Sequence, residues 1–193
     1  MAIKKIIQIG HPALKAENKK ITSFDDPKLK QLVKDLKDTM IAGDLIGIAA
    51  PQIAKNFTVF VTQPRKTKAR TGVGDILRVY INPVITVSSN EDSIIFEGCG
   101  SVLNGQLFGP VRRPREIRIE AHDLQGKKFR LRCDGILARV IQHEYDHLSG
   151  IEFLEKISDY KQIMNSDYYK KNIRKSKAQT EASKINFVEF KYV

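Results

Sequence analysis

Asp134-Gly135-Ile136-Leu137-Ala138-Arg139-Val140-Ile141-Gln142-His143-Glu144-Tyr145-Asp146-His147-Leu148-Ser149-Gly150 reads as one helix. Asp134 fits an N-cap, a helical apolar pattern runs from Gly135, and Ser149-Gly150 is a stop signal. In a helix, His143 and His147 stand one turn apart on a single face, and Ile136 and Val140 fall in the same narrow arc. The imidazoles therefore continue the stripe that faces the core. Two neutral imidazoles four residues apart make a metal chelate, and Glu144 sits beside them where it can handle a proton. A charged surface helix can also spell H-E-x-x-H. The apolar surroundings oppose that reading, because unpaired polar groups placed there are costly.

The helix supplies only two ligands. Beyond His147 the chain has neither His nor Cys, only acids such as Glu152, Glu155 and Asp159. Upstream, Glu97-Gly98-Cys99-Gly100-Ser101 sets a cysteine between two glycines, which let the backbone approach closely. Cys99 is then either a third ligand or a small buried hydrophobe, the commonest fate of a free cysteine. Cys133 ends an expected strand and reads as the buried hydrophobe.

The chain of 193 residues is long enough for one domain with a real core, and 41% hydrophobic with 28% charged residues is an ordinary globular balance. Two cysteines far apart give no disulfide framework, which fits a reducing compartment. Met1 to Gly10, interrupted by Lys4 and Lys5, is too short for a signal peptide, and no apolar run is long enough to span a membrane. The formal net charge of +11 suggests attraction to a polyanion such as RNA.

A first helix is expected over residues 25 to 42, opened by Asp25-Asp26-Pro27, ended by Gly43, and buried along Leu29, Leu32, Val33, Leu36, Met40 and Ile41. Leu45 to Gln52 is small, apolar and closed by Pro51. It is either a loop lining the site, with the Gln52 amide aimed at a substrate oxygen, or a packing turn with Gln52 in solvent. Strands are expected at 56–63, 77–82, 84–87 and 93–96, with an exposed basic loop from Pro64 to Asp75. Asn104-Gly105 marks a turn, and 116–122 with 127–133 form a hairpin about Asp123-Leu124-Gln125-Gly126. Strands in the middle with helices at both ends argue an α+β domain. Residues 156–193 hold nine Lys/Arg against four Asp/Glu, a net of +5. Lys161 to Lys175 can be helical and Lys177 to Lys184 reads as a polar linker. Ile185 to Val193 is either an added edge strand or part of a solvated tail.

Three blocks, Gly47-Ile48-Ala49-Ala50-Pro51-Gln52, Glu97-Gly98-Cys99-Gly100-Ser101 and Gln142 through Leu148, resemble the signature motifs of peptide deformylases in order and spacing. Gly10-His11-Pro12-Ala13-Leu14 and Asn82-Pro83 are also similar to that family, so the likeness covers residues 3 to 160. Two positions depart from it. Many members have Gly where this chain has Leu45, and a bulkier residue, commonly Leu, where it has Gly100.

The resemblance implies one α+β domain, with antiparallel or mixed strands around the metal-binding helix. Residues 1–160 are then the catalytic domain and 161–193 a basic C-terminal extension. It implies Cys99, His143 and His147 as ligands of one divalent ion, natively Fe2+, replaceable by Zn2+, Ni2+ or Co2+. By affinity alone a CysHis2 site suits Zn2+. The implied reaction removes the formyl group from N-formylmethionyl nascent peptides and releases formate. Glu144 serves as general base and then general acid, and the Gln52 amide and Gly100 backbone N–H steady the oxyanion. Ile136 and Val140, with Ile46, Gly47 and Ile95, are the expected substrate-binding residues. Arg139 is expected to snorkel outward, the alternative being that it orients the peptide. The basic extension suggests ribosome docking by a monomer in the bacterial cytoplasm, or in an organelle. A metallopeptidase is the alternative, opposed by Cys99 and the lack of a downstream ligand. An inactive ribosome-binding relative is opposed by the presence of Cys99, His143, Glu144, His147 and Gln52 together.

Overall fold

The computed structural model describes residues 3–65 and 74–193. Helix α1, Pro27–Ala42, starts at Asp26, whose side chain accepts from the Lys28 N–H, with Pro27 in the first turn where its missing N–H is not needed. Leu29, Leu32, Val33, Leu36 and Met40 are buried along it. Ile41 departs from the expected stripe and is 47% exposed, because one further residue turns the side chain about 100° around the helix.

Strands follow as β1 (Gly47–Ala49), β2 (Val59–Thr62), β3 (Arg78–Ser88), β4 (Asp92–Gly98), β5 (Leu107–Pro114), β6 (Glu116–His122) and β7 (Lys128–Asp134). Helix α2, Gly135–Leu148, comes next, then β8 (Met164–Asn165), a short helix α3 (Lys177–Ser183) and β9 (Val188–Tyr192). Among the described residues, one sheet runs β1-β2-β3-β6-β7-β9 and a smaller one runs β4-β5-β8, with neighbouring strands antiparallel in both. The architecture is α+β, as expected from the residue pattern.

The hairpin β6–β7 shows why the larger sheet has one dry face. Ile117, Ile119 and Ala121 alternate inward opposite Cys133, Leu131 and Phe129. On the other face, Glu116 pairs with Arg132 and Glu120 with Arg130. The dry face receives Leu137 and Ile141 of α2, both fully buried. Helix α1 packs against β1, β2 and β3 in a second cluster. Cys99, Val102, Val111, Phe153 and Ile157 form a third beside the smaller sheet. Helix α2 is thus set with one side on the large sheet and its histidines toward the end of β4.

Several expectations change. The two strands drawn on either side of Pro83 are one strand, β3, carrying a register shift between Ile81 and Val84. Pro83 has no N–H for the ladder, and Asn82, at φ +51°, bonds Ile21 through both ends of its amide. Strand β5 was not expected, since Gly109, Pro110 and Pro114 disguise it. Of the expected basic loop, residues 66–73 lie outside the described residues, while Arg65 pairs with Asp44 at 3.2 Å.

The extension is not a free tail. β8 pairs with β5, and β9 adds to the edge of the large sheet with Phe190 opposite Leu131. Residues 166–173 form a short helical turn. The supposed linker at 177–184 is α3, capped by Ser176. Its buried Gln179 accepts from Phe96 N–H and donates to Phe96 O, taking the place of a strand neighbour for β4. Asp134 stands at the N-cap of α2, but its carboxylate does not cap that helix. It accepts instead from the backbone N–H of Asn186 and Phe187 and from the Asn186 amide, tying β9 down.

Candidate metal centre and active site

Helix α2 and the end of β4 bring three donors together. Cys99 Sγ and the ring nitrogens of His143 and His147 lie within 4.8 Å of one another, all buried in the protein interior. The Cys99 Sγ to His147 Nε2 distance is 3.3 Å. A tetrahedral ion with ordinary Zn–S and Zn–N bonds sets such a pair about 3.5 Å apart. The spacing therefore suits a first-row divalent cation, as does a set of one soft sulfur and two imidazoles.

Glu97 orients this set. Two residues before Cys99 on an extended strand, its side chain falls on the same face. Its Oε2 lies 2.9 Å from His143 Nδ1. With the proton on Nδ1, the Nε2 lone pair is free for an ion. Arg113 donates to both Glu97 oxygens, at 2.8 and 3.1 Å, and Arg139 Nη1 donates to Oε1 at 3.0 Å. Burial alone would raise this carboxyl. Arg113 and His143 overcome it and hold Glu97 well below the usual carboxylate range. Arg113 also reaches Asp146 at 2.5 Å, fastening the last turn of α2.

Arg139 does not snorkel. It is 3% exposed and also donates to Val111 O, Ser93 O and Ser93 Oγ. Its length lets it cross from α2 to β4 and β5, where a carboxylate and two carbonyls replace water. Neither this role nor those of Glu97 and Arg113 was legible from motif spacing. The i, i+2 relation of Glu97 to Cys99 was the one signal available.

Glu144 is 3% exposed, and its Oε2 is a buried oxygen with no hydrogen-bond partner among the described residues. Burial pushes its carboxyl up to about 7, against the pull of His143. A group poised there can take up and return a proton near neutral pH. His147 is pushed down by burial and by His143 and Arg113, so it stays a neutral donor. Gln52 is buried, not in solvent. Its Oε1 accepts from Ala49 N–H at 2.8 Å, and its Nε2 lies 3.4 Å from Cys99 Sγ and 3.3 Å from Ser101 Oγ.

Gly47 explains how β1 meets the helix. A Cβ there would stand 2.5 Å from Val140 Cγ2 and 2.6 Å from Glu144 Oε1, so only glycine lets the strand lie on this face. Ile136, Val140 and Ile46 share one apolar cluster. Ile95 is buried on β4 opposite Val111, outside that cluster. Over Gly100 the terminal carbons of Leu45 and Ile6 stand 3.4 Å from where a Cβ would be. Leu45 thus packs across the position where a longer side chain at 100 would begin. His11 caps the turn Pro12–Leu14 through Nδ1, as a loop residue should.

A helix presenting two imidazoles and a carboxylate to a sulfur just past the end of a strand is the arrangement of a metal-dependent hydrolase. The polypeptide deformylase family model matches residues 3–163, and the chain belongs to that family. Peptide deformylase 2 of Clostridium perfringens is 37% identical over 85% of this chain and 99% of its own length. The chloroplastic peptide deformylase 1B of Oryza sativa subsp. japonica is 37% identical over 80% of this chain, which spans 55% of that longer relative. A class I type b peptide deformylase from Acinetobacter baumannii, solved with Met-Ala-Ser bound, superposes with a TM-score of 0.76 at 30% identity, covering 81% of this chain and all of that one.

Proposed function

We propose that this chain hydrolyses the formyl amide of N-formylmethionyl nascent peptides and releases formate. The observation that carries the reading is the meeting of Cys99, His143 and His147 beside the buried Glu144, whose Oε2 has no hydrogen-bond partner among the described residues, in a chain of this family. The Acinetobacter relative holds Met-Ala-Ser, a peptide with the N-terminal methionine that deformylation would leave.

Cys99, His143 and His147 would hold one divalent ion, for which we propose Fe2+. When bound, the ion supplies Lewis acidity and makes water a nucleophile near neutral pH. Glu144 accepts the proton of the attacking water at Oε2 and returns it to the departing amine. The Gln52 amide and the Gly100 backbone N–H donate to the developing oxyanion. Ile136, Val140 and Ile46, beside Gly47, would form an apolar wall for the methionine side chain, with Ile95 apart from that cluster on β4. The catalytic unit is residues 1–160, with 161–193 packed onto it.

Formylated and acetylated Met peptides offered side by side test the reading, since a deformylase cleaves only the first and a general amidohydrolase takes both. Gln52→Ala should lower turnover by about 10²–10³ with metal content unchanged, the usual cost of one lost oxyanion donor. Turnover within two-fold of wild type would remove Gln52 from that role.

We also place the reaction at the ribosome, in the bacterial cytoplasm or an organelle, on the strength of the basic extension. Lys170, Lys171 and Lys175 are exposed there. Their replacement by Glu should abolish salt-sensitive co-sedimentation with ribosomes. Unchanged sedimentation would argue against this docking.

A further inference from the structure

The segment Ile6–Ile9 runs along both loops that carry the oxyanion donors. Ile7 N–H donates to Gln52 O at 2.9 Å, and Ile9 N–H donates to Ser101 O at 2.8 Å. Between them, Gln8 Nε2 donates to Gly100 O at 2.9 Å, while Gln8 Oε1 accepts from Asn104 N–H at 2.8 Å. A single carboxamide closes the turn from Gly100 to Asn104.

That turn needs a brace. Leu103 and Asn104 both adopt the left-handed conformation, at φ +46° and +53°, and Gly105 follows at +75°. Asparagine and glycine tolerate this region, but leucine enters it only where its surroundings impose it. At the other end, Gly100 has no side chain to limit rotation of the peptide that follows it. Gln8 grips that peptide by its oxygen, and its other edge, the Ser101 N–H, points at Cys99 Sγ from 3.4 Å.

We infer that Gln8 is a positioning residue of the metal centre. Its carboxamide sets the plane of the Gly100–Ser101 peptide, and with it the hydrogen bond from the Ser101 N–H to the ligand sulfur, next to the preceding peptide that carries the Gly100 N–H. The effect on turnover rests on the deformylase reading; the effect at the sulfur does not. Hydrogen bonds to a ligand sulfur tune both its orientation and its donor strength, so loss of the brace should be visible at the metal as well as in the reaction.

Gln8→Met keeps the side-chain length and removes both hydrogen bonds to the turn, together with the longer one, 3.4 Å, from Nε2 to Ile6 O. Gln8→Glu keeps the acceptor for Asn104 and removes the donor to Gly100, and it serves if the Met variant folds poorly. Both are loaded with Co2+ beside the wild-type protein. The thiolate-to-cobalt charge-transfer band, kcat and KM on a formyl-Met peptide, and the thermal midpoint are then recorded. The expected result is a shifted band and a kcat about ten-fold lower, with KM within about two-fold. An unmoved band in both variants overturns the inference, whether kcat is unchanged or falls only in step with the thermal midpoint. If the wild-type protein fails to deformylate while the band still shifts, the deformylase reading fails and the brace stands.

Discussion

Glu144→Gln is expected to lower turnover on formyl-Met peptides by about 10²–10⁴ while the protein still binds its metal. The variant keeps the size of the side chain and its place under Gly47, where Glu144 Oε1 would lie 2.6 Å from an added Cβ. What it loses is the ability of the buried, unpartnered Oε2 to take a proton. Glu144 is not one of the three donors of the Cys–His–His set, so metal content should not follow activity. Measuring kcat and metal stoichiometry on the same preparation decides the matter. Near-normal turnover would show that the proton travels elsewhere, and parallel loss of metal would make Glu144 a structural part of the ion site.

Glu97→Gln should act on the ion and on the fold together. The carboxylate lies among Arg113, Arg139 and His143, all buried or nearly so. Gln keeps the volume but leaves two guanidinium groups facing a neutral amide. Removing one partner of such a buried pair typically costs about 3–5 kcal/mol. It also frees the His143 ring that Glu97 holds in place, and loss of such a support lowers metal affinity by about 10–100-fold. Chelator competition and denaturant unfolding would read the two effects separately. Affinity within two-fold of wild type would show that His143 is oriented without Glu97. The same carboxylate gives stability a pH dependence of known sign. Its folded-state pKa lies below the unfolded value, so its contribution is present above the ordinary carboxylate range and is lost as pH falls through that range and below.

The helix that organises the protein was legible because its signals are local: a stop at Ser149-Gly150, a 3.6-residue apolar period, and two histidines at the spacing of one turn. The first helix was legible for the same reason, except at Ile41, on the margin of its stripe. The ion-pair network was not legible, because its partners are remote. Arg113 is 16 residues from Glu97 and Arg139 is 42. A charged residue with no local partner reads as solvated, and only the tertiary fold shows that Arg139 is not.

Strand β5 was hidden by its own prolines and glycine. Helix α3 was hidden by having one buried residue in seven, Gln179, whose bonds to Phe96 hold a segment with no apolar period. By contrast, β9 carried its β-branched and aromatic composition in plain view. Asp134 shows the limit of a local rule. It occupies the cap position the sequence suggests, yet its side chain is taken by Asn186, 52 residues away.

X-ray absorption at the metal edge of the loaded protein reads the coordination shell directly. The shell expected here has one sulfur at about 2.3 Å, two imidazole nitrogens at about 2.0–2.1 Å and one light atom from solvent. A shell without sulfur, or one closed by a fourth protein side chain, would contradict the hydrolytic centre argued from Cys99, His143 and His147.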